Sequence, residues 1–283
     1  MHGELAISDV AEETGIAAGT IRMWEQRYGF PTPERTASGY RRYTPEDVER
    51  LRRVQAYRAR GLSVAAAIER ARETGGTSDL PSLYAVVAGQ DRVAHPHVLR
   101  KSTLMDLSRA MEHETLAHAA APVLFGAFQE ERFFRAIEPR WRRLADHADA
   151  CAVFADFDAE RRPPDGPIEL PISRAGALGN EWALIIDAPG FAATLVAWEQ
   201  PRTESEHELP ERDRRFEAIW TLDPGTTRRA AVAAARMAGS IDAEVGAALE
   251  ARLADRPLAL EQPVPALTSL ANRVVSYLEH SAR

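Results

Sequence analysis

The chain has 283 residues, of which 45% are hydrophobic and 27% charged, with a net charge of −7. At ~150 residues per domain this is about two domains, each long enough to bury a core, and the balance excludes collagen, fibre and extended disorder. No apolar run approaches the ~20 residues of a membrane helix; the N-terminal MHGELAISDVAEE lacks the apolar stretch of a secretion signal, and the single Cys151 excludes an intrachain disulfide or a cysteine metal cluster. A cytoplasmic protein with no membrane contact is expected. The charge is unevenly spread. Residues 22–60 hold ten Arg against five acids, whereas residues 81–283 hold 23 basic and 30 acidic residues. A short basic segment joined to an acidic remainder points to a nucleic-acid-binding module with a second unit attached.

Taken in chain order, Ile7, Val10 and Ala11 share a helical face, with Ser8 as the expected cap and Gly15 as the stop. Thr20 is expected to cap a second helix, Ile21 to Tyr28, closed by Gly29. Phe30-Pro31-Thr32-Pro33 cannot continue it. Residues 35–43 place turn formers before alternating aromatic and Arg residues, as in a hairpin. Thr44-Pro45-Glu46-Asp47 is a strong helix start, followed by Val48, Leu51 and Val54 at helical spacing to Gly61. Ser63 opens a fourth helix through Ala71, and the Gly- and Ser-rich residues 74–81 read as a linker. Beyond it, helices are expected over Ser102–His118, Glu130–Ala145, Thr226–Ala254 and Ala266–His280. Strands are expected around Val123–Phe128, Ala152–Ala155, Trp182–Ile186, Thr194–Trp198 and Phe216–Leu222. The order is mixed, which favours an α+β fold for residues 82–283.

Two short helices with a tight turn and then a basic hairpin describe a winged helix-turn-helix over residues 1–73. The sequence resembles the MerR family of transcription regulators. The resemblance rests on Gly15-Ile16, Thr20-Ile21-Arg22, Glu25, Gly29-Phe30, Pro33, Arg35, Gly39-Tyr40-Arg41, Tyr43 and Arg60-Gly61-Leu62-Ser63. It implies promoter DNA, bound by a homodimer as an inverted repeat, and action through RNA polymerase. Trp24-Glu25-Gln26-Arg27-Tyr28-Gly29 is similar to the branch linked to light and stress sensing, some members of which bind cobalamin. No Asp-x-His-x-x-Gly motif accompanies it, so no cofactor is assigned.

The candidate DNA-binding residues are Thr20, Arg22, Trp24, Arg27 and Tyr28 on or before the recognition helix, and Arg35, Tyr40, Arg41, Arg42 and Tyr43 on the wing. Arg22 is assigned to phosphate or a base edge, and Arg27 and Tyr28 mainly to phosphates. The wing arginines are assigned to flanking backbone or minor groove. Trp24 is weighed as core before contact.

From Ser82 to about Pro201 the sequence resembles the DICT domain, a sensory module. The matching residues are Leu99-Arg100-Lys101, Leu107 to Glu112, Pro122 to Gln129 and Glu181 to Leu184. Candidate ligand groups are Lys101, Glu112, Phe128, Gln129 and Trp182, with the aromatics as core the rival reading. His113 and His118 stand five apart, which does not align two metal ligands on one helix face. No phosphate loop, nucleophile elbow or dinucleotide fingerprint is present, so no catalytic residue is assigned and an enzyme is the weaker alternative. The other alternative makes the second unit a dimerisation or partner platform. Val232, Ala235, Ala238, Ile241, Val245 and Leu249 are a candidate dimer seam or an intradomain core.

Overall fold

The computed structural model describes residues 5–36, 39–59, 62, 64–73, 82–88, 96–174, 177–200 and 210–259. The chain divides into two compact units, Met1–Thr77 and Ser78–Arg283. The expected linker 74–81 and the expected helix 266–280 lie outside the described residues.

The first unit runs α1 (Ile7–Thr14), α2 (Ala18–Tyr28), β1 (Glu34–Arg35), β2 (Arg41–Arg42), α3 (Pro45–Ala59) and α4 (Val64–Glu73). Neither of the first two caps is the residue expected. Ala6 caps α1, its N–H donating to Asp9 Oδ2 at 2.9 Å, so the carboxylate at the third position does the work assigned to Ser8. Ala17 caps α2, and Thr20 sits inside the first turn. Gly15 and Gly29 end the two helices at φ +70° and +60°, a conformation cheap only for glycine. Thr44 and Asp47 form the reciprocal start of α3: Asp47 N donates to Thr44 Oγ1 at 3.2 Å, and Thr44 N to Asp47 Oδ2 at 2.9 Å. β1 and β2 pair antiparallel, and Leu5 bridges to Tyr43, so the N-terminal segment adds to the base of the wing. Val10, Ile21, Trp24, Tyr43, Leu51, Val54 and Ile68 form the buried core.

The second unit carries a seven-stranded mixed sheet. Its elements are α5 (Leu83–Ala88), β3 (His97–Arg100), α6 (Lys101–His118), β4 (Val123–Ala127), α7 (Glu131–Arg135), α8 (Glu138–His147), β5 (Ala150–Ala155), β6 (Ile168–Pro171), β7 (Glu181–Ala188), β8 (Phe191–Glu199), β9 (Arg215–Thr221), α9 (Pro224–Ile241) and α10 (Ala243–Ala254). The strand order is β3-β9-β8-β7-β4-β5-β6. β4, β5 and β6 are parallel and the other pairs antiparallel, in agreement with the α+β expectation.

Two helices expected to be continuous are broken. The 130–145 run splits because Pro139, which has no N–H to donate, sits at the start of α8. The 226–254 run splits at Asp242, whose carboxylate accepts from Glu244 N and Val245 N and opens α10. One face of the sheet packs Leu104, Met111, Phe134, Trp141 and Leu144 against Leu124, Val153, Leu184 and Leu195. The other face is covered by α5 and by α9, whose Thr227 bonds Thr194 of β8 at 2.9 Å. Ala235, Ala238, Val245 and Leu249 are buried in this layer, and Gly246 approaches Gly239 so closely that a Cβ would lie 2.2 Å from its Cα. Four of the six candidate seam residues are therefore interior packing of the unit, and Val232 and Ile241 are half-buried.

Candidate DNA interface and candidate ligand pocket

In the first unit, an open cleft of about 420 Å³ is lined by Ala6, Ile7, Arg22, Gly39, Tyr40, Arg41 and Arg42. It gathers one arginine of α2 and two of the wing. Gly39, at φ +82°, turns the wing so that Tyr40 stands 71% exposed. Arg22 is exposed, and Thr20, Tyr28 and Arg42 are half-buried. Arg27 lies on α2, but its side chain is outside the described residues.

Two candidates are corrected by their burial. Trp24 and Tyr43 are 1% and 0% exposed. They are the apolar centre of the head and offer no surface to a duplex. Burial drives the Tyr43 phenol above its ordinary pKa.

Glu25 is the residue that reading by motif undervalued. Its carboxylate accepts Arg41 Nε at 2.6 Å and lies 3.4 Å from Arg35 Nη2. One acid on α2 thus ties both wing strands to the recognition helix. The hydrogen bond holds the Arg41 guanidinium above its ordinary pKa. The acid within Trp24-Glu25-Gln26-Arg27 was the available signal for this, a negative charge in a segment rich in arginine.

In the second unit, a cavity of about 140 Å³ lies between α6, the α7–α8 turn, the end of β4 and β7. Lys101, Glu112, Phe128 and Trp182 all line it. Gln129 does not: its amide donates to Glu199 Oε2 at 3.2 Å, the backbone having turned to φ +61°. Lys101 Nζ is 2.5 Å from Glu211 and 3.6 Å above the centre of the Phe133 ring. Burial lowers its pKa, against the opposing Glu211 bond. Glu112 accepts Arg140 Nε at 2.7 Å, and burial raises its pKa in spite of Arg140. Phe128 meets Trp141 edge-on at 5.2 Å. Trp182 donates from its indole N–H to Ser108 Oγ at 3.0 Å.

Gly126 sets the depth of this cavity. A Cβ there would lie 2.5 Å from Trp141 Cη2 and 2.8 Å from Phe128 Cε2. The sequence reading missed Arg109, Phe133, Arg140 and Trp141 as lining residues. Part of the signal was present: Lys101, Met105, Ser108, Arg109 and Glu112 follow helical spacing and make one stripe of α6. The Cys151 thiol is buried on β5, its pKa pushed up by burial, which makes it a poor nucleophile.

Each of the two units has a match among known families. Residues 5–74 match the family described as MerR HTH family regulatory protein, and residues 80–200 match the sensory domain found in diguanylate cyclases and two-component systems, DICT. The chain carries a MerR-type head and a DICT domain. Over 66 residues it is 48% identical to the HTH-type transcriptional repressor CarA of Myxococcus xanthus, covering 23% of each chain. Over 102 residues it is 35% identical to the repressor CarH of the same organism, covering 35% of this chain and 32% of that one. It is also 38% identical over 58 residues to the regulator CueR of Yersinia pestis, covering 20% of this chain and 42% of that one. The chain thus spans less than a third of the length of the two Myxococcus repressors. Among the described residues of the MerR-type head and the DICT domain, no helix is long and apolar enough to cross a membrane.

Proposed function

We propose that this protein is a signal-responsive transcription regulator that binds a promoter inverted repeat as a homodimer. The observation that carries the reading is the cleft of the MerR-type head, where Arg22, Arg41 and Arg42 converge beside the exposed Tyr40. Arg22 on the second helix of a helix-turn-helix is in position to enter a major groove, and the wing arginines to hold the flanking phosphates. Glu25 makes the wing and the helix one reading surface. The two heads of a dimer would read the two half-sites, and their altered spacing would change promoter shape and RNA polymerase access. A signal bound by the DICT domain acts by favouring one arrangement of the heads over another, which requires different affinity for the two. The core packing of α9 and α10 speaks for a dimer seam elsewhere.

The test is selection of genomic DNA fragments by the purified full chain, with Arg41→Ala as control. An enriched inverted repeat that the variant loses supports the reading. Binding with a steep salt dependence and no preferred sequence overturns it in favour of a sequence-neutral binder.

A further inference from the structure

We infer that the cavity of the DICT domain is a binding site for a single-ring aromatic carboxylate. The inference rests on the signal-responsive reading above and names the chemical class of the signal. Three properties of the cavity converge on it. The first is size. An apolar cavity of ~150 Å³ accepts one benzene ring, and this one has about 140 Å³.

The second property is wall chemistry. Phe128, Phe133, Trp141 and Trp182 present aromatic surface from four different elements or turns. Edges and faces offered together suit an aromatic guest better than an aliphatic one.

The third property is charge. Arg140 lines the cavity and donates from Nε to Glu112. Among the described residues its two terminal nitrogens make no hydrogen bond. A guanidinium with its terminal nitrogens open presents a fork that matches the two oxygens of a carboxylate. Lys101 lies in the same lining with its ammonium held by Glu211, and the one acid of the lining, Glu112, is engaged by Arg140. An aromatic amine would add another cation to this set. A neutral ring would leave the fork empty. Met105 and Arg109 of the lining are exposed on α6, and the inferred pose sets the carboxylate against the terminal nitrogens of Arg140.

Trp141 and Trp182 in the walls make the site self-reporting. The full chain is titrated with benzoate, benzyl alcohol and benzylamine, following tryptophan fluorescence and the thermal midpoint. Benzoate is expected to change the fluorescence saturably and raise the midpoint, binding about tenfold or more tighter than the other two, as an added charged bidentate contact provides. Arg140→Gln alone strands the buried Glu112, so the paired variant Glu112→Gln/Arg140→Gln removes both charges together. It is expected to remain folded and to bind benzoate no better than benzyl alcohol. Benzylamine or benzyl alcohol binding as well as benzoate overturns the class. So does the absence of saturation by benzoate up to about 10 mM, the range of single-ring fragments. An undiminished benzoate response in the paired variant overturns the location. DNA binding with and without saturating benzoate separates the two readings. DNA selection that persists without any benzoate binding overturns the site and leaves the regulator. Benzoate binding with no change in DNA affinity keeps the site and overturns its role as signal.

Discussion

The two units use arginine in opposite ways. In the head, Arg22 is exposed, Arg35 keeps 58% of its side chain exposed, and Glu25 positions the wing cations without covering them. In the second unit several arginines are staples. Arg228 grips Asp187 with Nε at 2.6 Å and Nη2 at 3.0 Å, and donates to the backbone carbonyls of Leu253, Arg256 and Pro257 at the end of α10. Arg135 holds the buried Glu169 through two bonds of 2.6 Å, and Arg256 reaches the Asp149 carboxylate and the backbone carbonyls of Ala121, Asp187 and Arg252. Counting arginines therefore does not find the functional surface. What separates them is how the guanidinium is used: Arg228 is saturated by protein oxygens, whereas the arginines held by Glu25 keep part of their donors toward solvent.

Breaking a staple has the largest expected effect. Arg228→Ala leaves Asp187 buried without its partner and the end of α10 uncapped, and should cost about 3 kcal/mol in the unfolding of the second unit. Denaturant titration measures this; a loss under about 1 kcal/mol would erase the contrast between the units. The corresponding change in the head, Arg41→Ala, should leave its stability within about 1 kcal/mol, as for an exposed pair. It should weaken DNA binding on all sequences and lower the salt slope by about one. A variant that loses preference at a single base pair instead would make Arg41 a base reader.

Glu25→Gln sharpens the comparison because it acts on both cations at once. Loss of the negative charge should raise affinity for a scrambled duplex while discrimination between the selected site and that duplex falls. Binding curves on the two duplexes at one salt concentration decide it, and improved discrimination would refute the positioning role.

The smallest effect concerns a cap. Asp223 accepts from Thr226 N at 2.6 Å at the start of α9, and hydrogen bonds from Thr226 hold its carboxyl below the usual range. A depressed native pKa stabilises above the unfolded value, about pH 4, and that contribution is lost as pH falls through the native pKa. Asp223→Ala should therefore cost about 1 kcal/mol or less at pH 7, and the gap to the parent protein should close in acid. A gap that persists at pH 2 would assign the cost to something other than the carboxylate.

The head was legible because its signals are local. Glycine stops, the Thr44-Pro45 start and the hairpin turn each act within a few residues, and they recur in order. The errors there were also local: Asp9 outcompeted Ser8 for the backbone of Ala6, a choice between two capping groups one residue apart. In the DICT domain the long buried strands were readable as apolar runs. β3, β6 and α5 were not, because four to six residues carry too little periodicity and gain their structure from neighbours in space. The same division governs the pocket. Its α6 stripe is spaced in the sequence, whereas Arg140 and Trp141 join it only because Gly126 admits the indole over β4.

Glu181 and Trp182 are neighbours on β7. The Glu181 carboxylate takes the backbone N–H groups of Leu83 and Tyr84 at 2.9 and 3.3 Å and the hydroxyl of Ser82, while Trp182 faces the cavity. Successive residues of a strand point to opposite sides, so these two tasks are joined by one peptide unit about 3.8 Å long. A guest that tilts the indole twists that unit and disturbs the anchor of α5, the first described helix after the head. Amide hydrogen exchange at Leu83 and Tyr84 is then the gauge of occupancy: it should change when the cavity fills, and equal rates in the empty and filled states would mean that β7 transmits nothing across the sheet.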